Sequence, residues 1–440
     1  MKKLLPLLIG AVLGGLNTSA WADSLAEIYD LSKQNDPQLL SVKAKRDAAF
    51  EAITSSRSSL LPQINLAAGY NLTRGDTDLD AGGSRDNDQN ALSAGISFSQ
   101  ELYKRSSWIT LDNAEKTARQ ADASYAATQQ ALILRVAQAY FAVLKAQDNL
   151  DFVRAEKAAV ARQLEQTKQR FEVGLSAITD VHDAQAQYDG VLADEVLAEN
   201  SLTNSYEALR EITGQEHKNL NVLDTKRFTA SRSSTPAEAL IEEAQEKNLS
   251  LLSARIAADI AKENISLASS GHLPSLTLDG GYNYADVGSS TSDGTTNNFN
   301  IGLNLNVPLY TGGNITSQTK QAEFNYVATS QDLEATYRGV VKEVRAQKNN
   351  INASIGALRA YEQSVVSAKS ALEATEAGFD VGTRTIVDVL DATRRLYDAN
   401  KNLSDARYNY ILSVLQLRQA VGTLSEQDIL DVDAGLIAKK

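Results

Sequence analysis

The stretch FEVGLSAITDVHDA, residues 171–184, returns 208 residues later as FDVGTRTIVDVLDA, residues 379–392. Phe, Val, Gly, Ile, Asp, Val, Asp and Ala hold the same places in both copies. A second pair, Leu61-Pro62…Gly69-Tyr70 and Leu273-Pro274…Gly281-Tyr282, recurs at an offset of 212. Two matches in the same order mean an internal duplication, so the fold has two similar halves. The period is far too long for a solenoid, and each half is a domain-sized unit.

Each copy closes a long uninterrupted run. Residues 104–173 contain neither proline nor glycine and are rich in Ala, Gln, Leu, Lys and Glu. As one helix they would span roughly 105 Å, several times the usual globular length. Residues 315–377 repeat the pattern, interrupted only by Gly339 and Gly356. Leu132, Val136, Ala139, Val143, Ala146 and Leu150 recur at spacings of four and three. Ala392, Leu396, Ala399, Leu403, Ala406 and Tyr410 do the same. This heptad-like seam with many small residues suits close packing of long helices. Gly174 and Gly382 follow the runs, where a glycine takes the left-handed conformation that ends a helix.

Beside Pro62, Pro274 and Pro308 the period changes to two. Ile64, Leu66, Ala68, Tyr70 and Leu72 alternate with polar or small residues, as do Leu92, Ala94, Ile96, Phe98 and Leu102. In the second half, Leu276, Leu278, Tyr282 and Tyr284 and then Phe299, Ile301, Leu303, Leu305 and Val307 alternate likewise. Each segment is the size of an outer-membrane strand. A sandwich would need many more than four. Segments 73–91 and 285–298, rich in Asp, Gly, Ser and Asn, read as solvated hairpin tips.

Residues 1–22 read as a secretory signal: Lys2 and Lys3, an apolar stretch from Leu4 to Leu16, and Ala20-Trp21-Ala22 at the cleavage site. The formal charge is −12, more negative once those lysines are removed, which argues against a nucleic-acid partner. The chain has no cysteine, so neither disulfides nor thiol chemistry are available. His182, His217 and His272 lack ligand spacing and read as surface histidines, with no metal and no cofactor expected. Asp76, Asp78 and Asp80 begin like a calcium loop, but Ala81 and Asn87 replace its glycine and terminal glutamate. No nucleophile motif or phosphate-binding loop is present, so an enzyme is not expected.

Four strands cannot close a barrel, and open edges are not tolerated in lipid. Copies of the chain must therefore share one barrel. Two copies would give eight strands, whose interior side chains nearly fill. The inward series of Ser, Asn, Gly, Thr and Gln lines water better, which favours three copies and twelve strands. The runner-up is a periplasmic coiled-coil adaptor or scaffold, which needs no lipid-facing strands.

With these features assembled, Phe-x-Val-Gly-x-x-x-Ile-x-Asp-Val at 171–181 and VGTRTIVDVLDAT at 381–393 resemble the TolC family of outer-membrane efflux and secretion channels. The resemblance covers almost the whole mature chain. It implies a mainly α fold with β: a homotrimer whose twelve-strand β-barrel continues into a periplasmic helical barrel, with a mixed α/β equatorial belt. The segments would be a signal peptide 1–22, helical barrel 23–61, hairpin 62–102, long helix and elbow 103–214, and belt 215–235. The second half would follow as helical barrel 236–273, hairpin 274–309, long helix and elbow 310–422, and belt 423–440.

The resemblance also implies a role for individual residues. Asp388 and Asp391 would form an acidic selectivity ring at the periplasmic mouth; by spacing alone they belong to a polar stripe with Arg395, Asp398, Asn402 and Asp405, a solvated helix face. Arg384 would bond Thr179 and Asp180 on a neighbouring helix to hold a gate closed. Gln163, Arg170 and Glu376 fall where the family has further gate contacts. Phe379 stands where relatives carry a tyrosine whose hydroxyl joins that gate, so closure would lean more on Arg384. The elbows, with Gly174, Leu175, Gly382 and Thr383, would dock a periplasmic adaptor linked to an inner-membrane RND, ABC or MFS transporter. Drugs, bile salts, detergents and secreted proteins would leave through this passive duct in a Gram-negative outer membrane.

Overall fold

The first half runs through helices α1 (Leu25–Asn35) and α2 (Pro37–Ser58), then strands β1 (Gln63–Thr73), β2 (Asp76–Asp78), β3 (Ser84–Asp86) and β4 (Gln89–Tyr103). Helices α3 (Arg105–Glu172) and α4 (Ile178–Thr213) and strand β5 (Val222–Leu223) complete it. The second half follows as α5 (Ala237–Lys247), α6 (Leu249–Ser269), β6 (Ser275–Ser289), β7 (Gly294–Asn306), α7 (Asn314–Asp380) and α8 (Ile386–Val421). Helix α9 (Glu426–Asp433) and strand β8 (Leu436–Ile437) close the chain. The computed structural model describes residues 23–438 apart from 79–81, 87, 233 and 290–292. The signal segment 1–22 and the Asp80, Ala81 and Asn87 positions of the calcium-loop comparison lie outside the described residues.

The duplication is visible in the helix caps. Asp36 breaks the first helical segment, its Oδ2 accepting the Leu39 N–H at 2.8 Å with Pro37 at the first helical position. Asn248, 212 residues later, does the same through its Oδ1 and the Leu251 N–H at 3.0 Å. An unpaired N–H at a helix start favours such a side-chain acceptor. Asp36 is also paired with Arg135 Nη2 of α3 at 2.7 Å, which anchors the joint to the long helix.

The two hairpins form one antiparallel sheet in the order β1-β4-β6-β7. Its register puts apolar opposite apolar: Leu66 with Ile96, Ile96 with Tyr282, Tyr282 with Phe299 and Leu278 with Leu303. Asn65 pairs with Ser97, Ser97 with Gly281 and Gly281 with Asn300. One face therefore carries large apolar side chains that the single chain leaves in the open, Leu66 at 76% and Phe299 at 75% exposure. The other face is small and polar. Among the described residues, no strand pairs with the outer edges of β1 and β7.

The ladder reaches further than the side-chain alternation implies. Residues 285–298 read as a solvated tip, yet Ala285 pairs with Thr296 and Val287 with Gly294. Likewise, β2 and β3 form a short ribbon inside the first tip. Backbone pairing does not require an apolar face, so polar residues extend the strands beyond the alternating apolar pattern.

Helix α3 runs 68 residues and α7 67, each about 100 Å long. Gly339 and Gly356 do not break α7, because their propensity cost of about 1 kcal/mol each is spread over a helix packed along its length. α3 packs along α4 and α7 along α8, while α2 and α6 lie against the ends of α3 and α7 nearer the sheet. No helix among the described residues is long and apolar enough to cross a membrane.

Among the described residues, three apolar clusters lie along these helices. The largest gathers α1, the middle of α3 and the ends of α4 and α8. Tyr140 and Phe141 are fully buried there, edge to face at 5.8 Å. Strands β5 and β8 pair beside it, and Asp23 bridges Leu220. His217 corrects the surface reading of the histidines: it is buried, with Nδ1 2.8 Å from Asp23 Oδ2 and Nε2 3.0 Å from Thr213 Oγ1. The chain doubles back after the left-handed Gly214, which lays His217 against the end of α4. The second cluster joins α5, α7 and α8, and the third lies near the elbows.

Candidate functional site: the paired elbows

Both long helices end in the same backbone motif. Gly174 has φ +77° and Gly382 φ +81°, conformations that side chains disfavour. Around the first, Leu175 N donates to Arg170 O at 2.8 Å and Gly174 N to Phe171 O at 2.9 Å. Around the second, Thr383 N donates to Gly378 O at 2.8 Å and Gly382 N to Phe379 O at 3.0 Å. The paired six-to-one and five-to-two closures satisfy the last carbonyls and reverse the chain within five residues. Val173, Leu175 and Val381 are thereby thrust into solvent, at 70%, 71% and 75% exposure. Gly174, Gly382 and Thr383 are exposed beside them.

The return helices begin with a second shared device. Asp180 Oδ2 accepts the Ala177 N–H at 3.1 Å and the Ser176 hydroxyl at 2.6 Å. Asp388 Oδ2 accepts the Thr385 N–H and hydroxyl, both at 2.9 Å, and Asp388 N donates back to Thr385 Oγ1 at 3.3 Å. Both carboxylates are therefore helix-start anchors, a role the sequence reading missed. The signal was present as Thr385 three residues before Asp388.

Within one chain the Thr385 N–H, then its hydroxyl and the nearby Arg384 charge, hold the Asp388 carboxyl below the usual carboxylate range. Like-charge repulsion among such carboxylates would act in the opposite direction and needs several chains. Asp391, one turn further along α8, lies 3.7 Å from Arg394 Nη2.

The structure distributes the expected gate residues unevenly. Arg384 and Thr179 are exposed, and among the described residues no hydrogen bond or ion pair joins Arg384 to Thr179 or Asp180 within the chain. Glu376 is also exposed. Gln163 has its amide oxygen buried without a partner in the chain. Arg170 and Phe379, in contrast, are brought together: the guanidinium carbon lies 4.4 Å from the ring centroid. Phe379 is buried in the elbow cluster with Val160, Leu164, Ala184, Ile386 and Val389.

A further acidic feature lies a few turns above the elbows. Glu156 of α3, Asp194 of α4 and Asp398 of α8 line one open cleft with Arg394, Tyr397 and Lys401. Burial, then the charges of Asp398 and Asp194, push the Glu156 carboxyl up, against the opposing pull of Arg394. Among the described residues no acidic or histidine cluster has the spacing to hold a metal ion.

The family model for outer membrane efflux proteins matches residues 28–215 and 240–423, one match per half. The outer membrane protein TolC of Vibrio cholerae is 76% identical over 445 residues, spanning 100% of both chains. The alkaline protease secretion protein AprF of Pseudomonas aeruginosa is 29% identical over 452 residues, spanning 100% of this chain and 92% of its own. Among solved structures, the CmeC outer membrane channel of Campylobacter jejuni superposes with a TM-score of 0.78 at 17% identity, covering 99% and 98% of the two chains. The expected TolC-like tube, α-helical with a β-sheet end, is the fold these likenesses share.

Proposed function

Because this chain belongs to the outer membrane efflux protein family, we propose that it is the gated exit duct of tripartite efflux and type I secretion systems. It is an outer-membrane channel for efflux and secretion. The carrying observation is the four-stranded sheet with an apolar outer face and two open edges, joined to helix pairs about 100 Å long. A homotrimer pairs those edges into a closed twelve-strand barrel and continues the small polar face as a water-filled lumen. The helix pairs then form the periplasmic tube. This passive duct requires no chemical step and no cofactor.

The elbows are its periplasmic end. The exposed Val173, Leu175 and Val381 around Gly174, Gly382 and Thr383 give a periplasmic adaptor an apolar surface. The adaptor connects the duct to an inner-membrane transporter of the RND, ABC or MFS class. Cargo includes drugs, bile salts, detergents and secreted proteins. Asp388 and Asp391 from three chains form the anionic ring, and Arg384 contacts Thr179 and Asp180 across helices in the closed state. Gln163 and Glu376 add polar contacts at the same level.

Arg384→Ser combined with Asp180→Ala is expected to raise single-channel conductance in planar bilayers. Asp180 also caps α4, so Arg384→Ser alone separates loss of the gate contact from fraying of the helix. Unchanged conductance in both would remove the gate from the elbows.

A further inference from the structure

We propose that the gate of this protein is latched by the guanidinium of Arg170 on the ring of Phe379, an inference that rests on the gate reading above. Arg170 lies in the last turn of α3, and Phe379 in the last turn of α7. These helices belong to different antiparallel pairs, so the contact crosses from one elbow to the other. At 4.4 Å from the ring centroid, the cation is well inside the roughly 6 Å reach of a cation–π attraction. Asp380, the next residue, brings its carboxylate to 4.0 Å from Arg170 Nη1.

The ring contact outweighs the ion pair. Asp380 is exposed, and an exposed pair at this separation contributes little. Phe379 is only 9% exposed and packs with side chains of α3, α4 and α8. A cation–π attraction is strongest where water is excluded. Drawing the two helix pairs apart would strip the cation from the ring and expose the ring itself. Replacement of a tyrosine by phenylalanine removes a hydroxyl bond but leaves the π face. The sequence reading leans closure more on Arg384 and gives Arg170 no named partner; the geometry gives Arg170 the Phe379 ring, across the elbows inside one chain.

The test uses full-length trimer in planar bilayers, with Arg384→Ser as reference. Phe379→Leu keeps an apolar side chain but removes the ring, and Arg170→Gln removes the cation. Each is expected to raise the open-to-closed ratio about twofold to fivefold per latch, on the order of tenfold or more when three release together. The double variant should open no further than the stronger single, while Phe379→Tyr stays closed and Asp380→Asn has a smaller effect than either. If Arg384→Ser opens the channel but Phe379→Leu and Arg170→Gln do not, the latch is wrong and the gate stands. If the two effects multiply in the double variant, the residues act separately and the latch is again wrong. If no variant opens it, the elbow gate falls, and the latch with it. Arg170 is a partly exposed surface residue, so Arg170→Gln decides the matter if Phe379→Leu fails to assemble.

Discussion

Glu156 shows how a single residue's environment sets a measurable pH response. Burial and the neighbouring Asp398 and Asp194 raise its carboxyl above the ordinary range. The folded chain then holds this proton more tightly than the unfolded chain. Stability contributed here is present below the unfolded value and is lost as pH rises through the raised folded value. Glu156→Gln is accordingly expected to raise the thermal unfolding temperature at neutral pH and to flatten its fall between mildly acidic and neutral buffer. An unaltered pH profile would mean that the cleft stays well hydrated. Asp388 behaves oppositely: its bonds to Thr385 favour the charged form and are lost only as pH falls through its depressed value. The capping bonds of Asp388 are local and could have been found from Thr385, whereas the crowding at Glu156 needs three helices distant in the chain.

At the scale of elements, the junctions between helices carry more information than the helices. The end of α8 is clamped onto the joint between α5 and α6: Asn248 Nδ2 donates to Ala420 O at 2.8 Å. A Cβ on Gly422, which has φ +88°, would stand 2.4 Å from Lys247 O and 2.8 Å from Asn248 Cα. The equivalent Gly214, φ +72°, caps α4 beside the α1–α2 joint, but its Cβ would meet only Asn35 Cβ, at 3.9 Å. Both alanine variants incur about 1 kcal/mol of left-handed strain, and only Gly422→Ala also collides with backbone. Gly422→Ala is expected to lower the melting temperature of the protein sharply, and Gly214→Ala by a few degrees. Equal losses would show that the α5–α6 joint yields. Helix extents and the elbows were readable because proline, glycine and heptad spacing act over short distances. The breaks at Asp36 and Asn248 went unread although the 212-residue offset relates them, since a lone cap residue is a weak signal without its bonded N–H.

For the whole molecule, the decisive property is that one chain leaves its sheet open and its elbows exposed. In the proposed trimer, Asp388 and Asp391 of each chain would place six carboxylates around one axis, an arrangement that attracts multivalent cations. Asp388→Asn with Asp391→Asn is expected to abolish block by a trivalent cation added on the periplasmic side. Asparagine retains a carbonyl oxygen for the Thr385 cap, so helix α8 should start as before. Block that persists at the wild-type concentration would move the cation site away from the elbows.

The duplication, the two long helices with their glycine elbows, and four alternating strands too few to close alone can all be read in the order of the residues. All of these are periodic or covalently local, so the chain displays them without its partners in space. Tertiary structure decided the rest: that β4 of one half pairs with β6 of the other, that β5 finds β8, and that His217 is buried against Asp23. It also placed Arg170 over Phe379, 209 positions apart in the chain. Such contacts depend on how helices of nearly equal length are set side by side. A shift of one turn, about 5.4 Å, would separate cation from ring without changing any local pattern.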